Sequence, residues 1–338
     1  MSTVTSAGRS PLADWKLRAG QNQGLLIAVA VFVAMFALYV SNHPAGLTVP
    51  VVTTAANKAV LLALVAMAQT LPVLTGGLDL SVGMVFVMTN CLASSIVSGE
   101  PWQVALGIVA VLLAGAAAGF VNGAIVVYGR LQPIITTLAT GAVYYGIALL
   151  LRPVPGGDVD PDLADFMTYT VFGETVPTAL VLLLAVVLLI WLPFRNSVIG
   201  RGCYAIGSAE GAAYMSGLDT GRSKLAAYTL AGLLAGVAGL MLTFVTFSGE
   251  ASAPIGGTYT LNSIAAVVIG GTSLYGGAGG AIGSIFGAFI LRTIDDLLFV
   301  FDLPPLWQPL FQGVVLLGAV SLGAARVFRV KNRLELFN

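Results

Sequence analysis

The chain alternates long apolar runs with short polar or Pro/Gly punctuation. Runs lie near 24–40, 52–74, 82–98, 103–127 and 133–151, and a second set near 176–194, 225–247, 261–275, 281–301 and 308–324. About 20 apolar residues cross a bilayer as a helix, so the pattern predicts ten spanning helices. The run at 261–275 and the stretches beside the glycine loops are candidates for re-entrant or broken helices. The expected fold class is all-α, a polytopic membrane helix bundle: tail 1–23, transmembrane domain 24–324, tail 325–338. Arg9, Lys16 and Arg18 precede the first run as they would a secretory signal. No small-x-small cleavage site stands out in the following "SNHPAG", and the run is long for a signal, so it reads as a retained first helix.

Composition agrees with lipid as the main solvent. Hydrophobic residues make up 57% and charged residues 9%, against about 25% charged in a soluble domain; mean hydropathy is +0.95. The 41 glycines and 15 prolines sit inside apolar runs, where small residues let helices approach closely. Lys+Arg and Asp+Glu are both 15, and nothing points to nucleic acid. Placement says more than the sum. Arg130, the group Arg195, Arg201, Arg222 and Lys224, the group Arg326, Arg329, Lys331 and Arg333, and the N-terminal cations all fall on one side of a ten-span bundle. The opposite loop at 152–175 carries Asp158, Asp160, Asp162, Asp165 and Glu174 against Arg152. By the positive-inside rule both termini and 195–224 are cytoplasmic and 152–175 is periplasmic. Cys91 and Cys203 form no disulfide framework. His43, the single histidine, argues against a histidine-based metal or catalytic site.

"TGGLDLSVG" at 75–83 places Asp79 between two spans. A carboxylate at the centre of a membrane helix costs roughly 2.5–3.5 kcal/mol. Either Asp79 or Ser81 would cap the helix that runs on through Gly83, or Asp79 belongs to a gate, solute path or cytoplasmic contact. On the cytoplasmic side, water would reach it. Gly76-Gly77 and Gly83 recur with the same spacing as Gly276-Gly277 and Gly283, and "PWQ" is echoed by "LWQP". Such echoes hint at duplicated halves around a pathway. Gln69, Asn90, Asn122, Thr136, Thr137, Tyr144, Tyr145 and Asn262 read as interhelical glue or as pathway groups. Arg292, Asp295 and Asp296 share one helix face and can pair locally, on the order of 17 Å along the run from Ala281. They either mark a path or are solvated near the outer surface.

The longest polar segment is "RNSVIGRGCYAIGSAEGAAYMSGLDTGRSK", 195–224. Ser208 is expected to cap a short helix over Ala209–Ser216, with Gly217 as a left-handed stop. Two turns are not stable alone in water, so the helix docks on something, or the segment is a solvated loop.

"GGLDLSVG" at 76–83, "PIITTLAT" at 133–140, "AIGSAEGAAYMSGL" at 205–218 and "IAAVVIGGTSLYGGAGGAIGS" at 264–284 are similar, in this order, to motifs of the membrane-spanning permease subunits of bacterial ABC importers for sugars of the ribose/xylose/arabinose/galactoside type. The resemblance covers about 50–322. It implies an inner-membrane permease without a catalytic site. Such a subunit pairs with a second permease, like or unlike, binds two cytoplasmic ATPase subunits that hold the ATP and Mg, and receives sugar from a periplasmic binding protein. Segment 205–218 is similar to the family's ATPase-contacting loop, Glu-Ala-Ala, three residues, then Gly. Ala212, Ala213 and Gly217 match; Gly211 stands where glutamate is usual, and Glu210 lies one position earlier. Arg201 and Arg222 flank the helix as partners for acidic groups on the ATPase. The chain has no Gly-rich loop ending in Gly-Lys-Ser/Thr, in keeping with ATP on a separate subunit. The rival reading is an ion-gradient-driven secondary transporter, coupled through Asp79 or the Arg292/Asp295/Asp296 group. A third is a channel or structural membrane protein.

Overall fold

A computed structural model describes residues 23–315, 317, 318 and 321. The tails assigned to 1–23 and 325–338, with their basic clusters, lie outside the described residues apart from Gln23. The described chain is helical almost throughout. In chain order the helices are α1 (Gln23–Asn42), α2 (Val49–Leu74), α3 (Val82–Ile96), α4 (Pro101–Tyr128), α5 (Pro133–Leu151) and α6 (Pro161–Thr168). A minimal hairpin follows, β1 (Thr170–Val171) antiparallel to β2 (Val176–Pro177). Then come α7 (Thr178–Asn196, with a π turn at Val187–Trp191), α8 (Val198–Met215), α9 (Thr220–Thr246), α10 (Ala253–Ile269) and α11 (Ala281–Val300). The chain is helical again from 308.

Six helices, α1, α2, α4, α5, α7 and α9, are long and apolar enough to cross a membrane; α3 and α10 are shorter apolar helices. α11 has the length but carries Arg292, Asp295 and Asp296. The sequence expectation of a helical membrane bundle thus holds, with two boundary corrections. Helix α10 begins at Ala253, not near 261, because Ser252 caps it through the Ile255 N–H and Pro254 fits its first turn. Gly256 in its first turns serves packing against α3: a Cβ on Gly83 would collide with the Gly256 carbonyl. Likewise most of 195–224, read as polar loop, is α8.

Helix α2 is the bundle's axis. Every residue from Val60 to Leu74 is buried, and α9, α10 and α11 pack around it. Two cross-helix hydrogen bonds fix the register: Thr70 Oγ1 to Ser284 Oγ at 2.7 Å, and the Gly83 N–H to Thr260 Oγ1 at 3.1 Å. The most extensive pairing is α4 on α9, where Gly115 and Gly119 face Gly232 and Gly236 and a Cβ at Gly119 would sit 2.9 Å from the Gly232 nitrogen. With no hydrophobic force between helices in lipid, backbone contact through small-xxx-small faces supplies the packing.

The connections gather at two ends. One holds 75–81, 129–132, 197–219 and 270–280, joined by the Gly277 N–H to Leu74 carbonyl bond at 3.1 Å. Arg130, Arg195, Arg201 and Arg222 are exposed there. At the other, Gly156 pairs with Gly249, the Asp158 N–H bonds the Ser94 carbonyl at 2.9 Å, and Asn57 Nδ2 bonds the Thr168 carbonyl at 2.7 Å. Segment 152–175 is ordered as α6 and the hairpin. Asp160 caps α6 through the Leu163 N–H at 2.8 Å, and Arg152 Nε donates to Ser94 Oγ at 3.0 Å.

Candidate functional site

The candidate residues fall into three groups. The first surrounds the break between α2 and α3. Asp79 is 3% exposed, so the expectation that water reaches this carboxylate is corrected: side chains from α2, α4 and α5 close over the break. Asp79 Oδ1 accepts from the Ser81 N–H at 2.8 Å and from Ser81 Oγ at 2.6 Å. Ser81 Oγ in turn accepts from Asn122 Nδ2 at 2.7 Å, and Asn122 Oδ1 accepts from the Tyr144 hydroxyl at 3.0 Å. The Gln69 amide lies against the Asp79 backbone, where the orientation that satisfies it donates its nitrogen to the Asp79 carbonyl at 2.8 Å, and Thr137 Oγ1 accepts from the Leu80 N–H at 2.9 Å. Ser81 stands at the start of α3 but makes no side-chain cap bond; Asp79 holds that turn from two residues upstream. The reason is the need to pair every backbone group at membrane depth. Asp79→Asn retains an acceptor oxygen for Ser81. The variant is expected to fold and assemble, with a loss of about 1–2 kcal/mol in a detergent melt. Normal expression and melting with lost uptake would move the carboxylate from scaffold to transport.

Gly76, φ +79°, and Gly276, φ +86°, meet backbone to backbone beside this network: a Cβ on Gly276 would lie 2.8 Å from the Gly76 nitrogen. Gly277, φ +72°, abuts Ser208 of α8, and Gly77 abuts the Tyr228 hydroxyl. The two echoed glycine turns therefore form one junction, on which α8 sits.

The second group is on α8. Its cap is Ser197, through the Gly200 N–H at 3.0 Å, and the expected Ser208 cap is not made; Ser208 Oγ bonds the Tyr204 carbonyl instead. Ala209, at φ −165° and ψ 96°, interrupts the helix. The expected two-turn helix is thus the end of α8, beyond this break. Gly217, φ +79°, is the left-handed stop, with the Leu218 N–H on the Ala213 carbonyl at 3.2 Å. Of the two alanines, Ala212 is exposed and Ala213 only 5% exposed. Gly211 faces open space. Tyr214 and Met215, 70% and 86% exposed, complete the outward face. Tyr214 was not singled out from the sequence, although an aromatic beside Met on a polar segment is a usable signal. Glu210 pairs with Lys224 and Arg222 Nε with Asp219 at 3.0 Å, while Arg201 is exposed. The Cys203 thiol, buried against the Ser223 carbonyl, is pushed up to about 12 by burial, so it is protonated and unreactive near neutral pH. A cleft of about 600 Å³ separates this end of α8 from the inner turns; Glu210, Lys224, Arg130, Gln132, Gly76 and Gly77 are among its lining.

The third group is toward the opposite end. Arg292 Nη1 pairs with Asp295 at 3.0 Å, but Asp296 pairs with Lys58 of α2 at 3.3 Å. The expected local pairing is thereby half corrected: one turn of α11 points Asp296 at α2. Gln312 donates to Asp295 at 2.9 Å and accepts from Asn262 at 3.2 Å. Asn90 ties α3 to Thr243 of α9 at 2.9 Å and to the Glu250 N–H at 3.0 Å. Lys58 and Gln312 were missed; a lone cation in an apolar run is a signal that an acid on another helix must meet it. Among the described residues no group of three or more His, Cys, Asp or Glu could hold a metal ion.

A helical bundle with six helices long and apolar enough to cross a membrane, many of its buried polar groups joining helices, defines a polytopic membrane protein. A family model described as the permease component of the branched-chain amino acid transport system matches residues 51–320, and the chain belongs to this permease family. It is 37% identical to the ribose import permease protein RbsC of Bacillus subtilis over 77% of this chain and 80% of that one. It is 33% identical to the Escherichia coli K12 protein of the same name over 95% and 98%. The autoinducer 2 import system permease protein LsrD of Photorhabdus laumondii is 28% identical over 89% and 91%. No solved structure matches the chain at a significant level.

Proposed function

We propose that this chain is the permease subunit of an ATP-driven importer for a sugar or sugar-like solute, with ATP and Mg held by separate cytoplasmic ATPase subunits. The observation that carries the reading is the end of α8: a two-turn segment with Ala212, Tyr214 and Met215 outward, next to the alanine-glycine pattern shared with the family's ATPase-contacting loop. Such a segment needs a partner to cover it, and the bundle has no nucleotide loop of its own.

The basic end, with Arg130, Arg195, Arg201 and Arg222 exposed, is then the cytoplasmic one. That orientation gives ten spans, counting α3, α10, α11 and the helix from 308, with both termini inside. The meeting of Gly76 with Gly276 supports duplicated halves. On the periplasmic face, α6 and the hairpin present Asp162, Asp165 and Glu174 with Phe166, Tyr169 and Phe172, all exposed. An acidic and aromatic platform of this kind suits a solute-binding protein. A second permease subunit, like or unlike, completes the pathway in the inner membrane. The ribose and autoinducer 2 import permeases among its relatives support a sugar or sugar-like cargo. Reconstituting the chain with an ATPase that co-purifies with it and a solute-binding protein, and measuring uptake of the sugar that protein takes, tests the reading: uptake should require ATP and both partners.

A further inference from the structure

We infer that Glu210 is a positioning residue: its ion pair with Lys224 holds the ATPase-docking segment against the bundle, and the segment pivots at Ala209 when Glu210 exchanges Lys224 for Arg130 across the cleft. The inference rests on the reading that this segment is where the ATPase docks.

Four observations converge on it. First, Ala209 is the one residue inside α8 with non-helical backbone, so a hinge lies immediately before Glu210. Second, everything up to the hinge is fastened. A Cβ at Gly207 would collide with the Leu74 carbonyl and the Gly277 nitrogen, and the Tyr204 hydroxyl bonds the Gly279 carbonyl at 2.9 Å. Third, beyond the hinge the segment is held lightly. Gly211, Ala212, Tyr214 and Met215 face outward, and Lys224 Nζ to Glu210 Oε1 is the one side-chain ion pair that ties it back among the described residues. Fourth, the segment has room and a second cation. The 600 Å³ cleft is lined by Glu210, Lys224 and Arg130 alike. Arg130 has no ion-pair partner among the described residues and is held at φ +53° where the chain leaves α4.

The physics favours exchange over a fixed bolt. Glu210 is 55% exposed at its side chain, and half-exposed pairs are weak and screened by salt. Docking of a partner on the outward face is therefore sufficient to open the pair. A second cation across the cleft lets the carboxylate move without being left unpaired, which makes the segment two-state. It also gives a purpose to the shifted acid: Gly211 leaves the position after it open, while Glu210 reaches Lys224 of α9.

The test uses the full complex with its co-expressed ATPase. Cys91 and Cys203 are fully buried, so introduced cysteines are the thiols a reagent reaches. Glu210→Cys with Lys224→Cys, bridged by a short reducible bis-methanethiosulfonate, should retain the ATPase subunits. Its ATP hydrolysis should fall at least about fivefold, the low end of one coupling equilibrium, and recover on reduction. Glu210→Cys with Arg130→Cys should bridge in the vanadate-trapped complex and not in the nucleotide-free one. The charge swap Glu210→Lys with Lys224→Glu re-forms the resting pair but sets like charges at 210 and 130, so hydrolysis should stay low until Arg130→Glu is added, whereas a merely structural pair would be rescued by the swap alone. A bridged 210–224 complex that hydrolyses at the unbridged rate, or a 210–130 bridge indifferent to trapping, overturns the inference while the docking reading stands. An unmodified complex that holds no ATPase sinks the docking reading, and this inference with it.

Discussion

Replacing Ala212 with arginine should strip the ATPase from the purified complex while leaving the permease folded. Ala212 is exposed beyond the Ala209 break, beside Gly211, whose missing side chain opens on empty space. A guanidinium there meets nothing in the free subunit, so its melting temperature should match that of the parent. In the proposed complex it would be buried against the partner, and an unpaired buried charge at the centre of an interface costs about 2 kcal/mol or more, roughly thirtyfold in affinity. Co-purification on a tagged permease measures it. Tyr214→Asp should behave likewise, since Tyr214 is 70% exposed on the same face. Ala213 makes a poor probe, because at 5% exposure a large residue there would disturb the bundle as well as the interface. Full retention of the ATPase by both exposed variants would contradict the assignment of this face.

Leucine at Gly276 should prevent accumulation of folded protein, and leucine at Gly76 should be the milder change. Both glycines occupy the left-handed region, at φ +86° and +79°, where a side chain is strained. Gly276 carries a second penalty: its Cβ would lie 2.7 Å from the Gly207 Cα and 2.8 Å from the Gly76 nitrogen, whereas the nearest atom to a Cβ on Gly76 is the Tyr275 carbonyl oxygen at 3.5 Å. Backbone cannot step aside as a side chain can. The expected loss at Gly276 is more than about 3 kcal/mol, that at Gly76 about 1–2 kcal/mol. Fluorescence-detected gel filtration with a thermal ramp separates them. Wild-type melting for Gly276→Leu would remove the glycine junction from the account.

The order of the helices was legible because lipid demands long apolar runs, and such runs are visible without knowing any contact. Gly217 and the break around 75–81 were legible for a local reason, since glycine marks backbone that other residues cannot adopt. Less legible were elements whose glycines serve packing rather than turning. "VIGRGCYAIGS" reads as loop, yet it is helix α8 because Gly207 must clear the Leu74 carbonyl; the start of α10 was hidden in the same way by Gly256. Pairings across the bundle were the least visible. Asp296 lies on the face shared with Arg292, and only the approach of α2 gives it to Lys58. The network of Gln69, Asn122, Thr137 and Tyr144 around Asp79 draws on three helices. The sequence offers each residue as a polar group in an apolar run and leaves the assembly to packing.

The central claim is that this bundle is moved by ATP hydrolysed beneath it. The direct measurement is uptake, into proteoliposomes holding the permease and an ATPase, of the solute that the binding protein takes, with binding protein outside and ATP enclosed or withheld. The account expects uptake only with ATP enclosed and binding protein present, unchanged by proton or sodium gradients. Uptake by the permease alone, driven by an ion gradient, would contradict it.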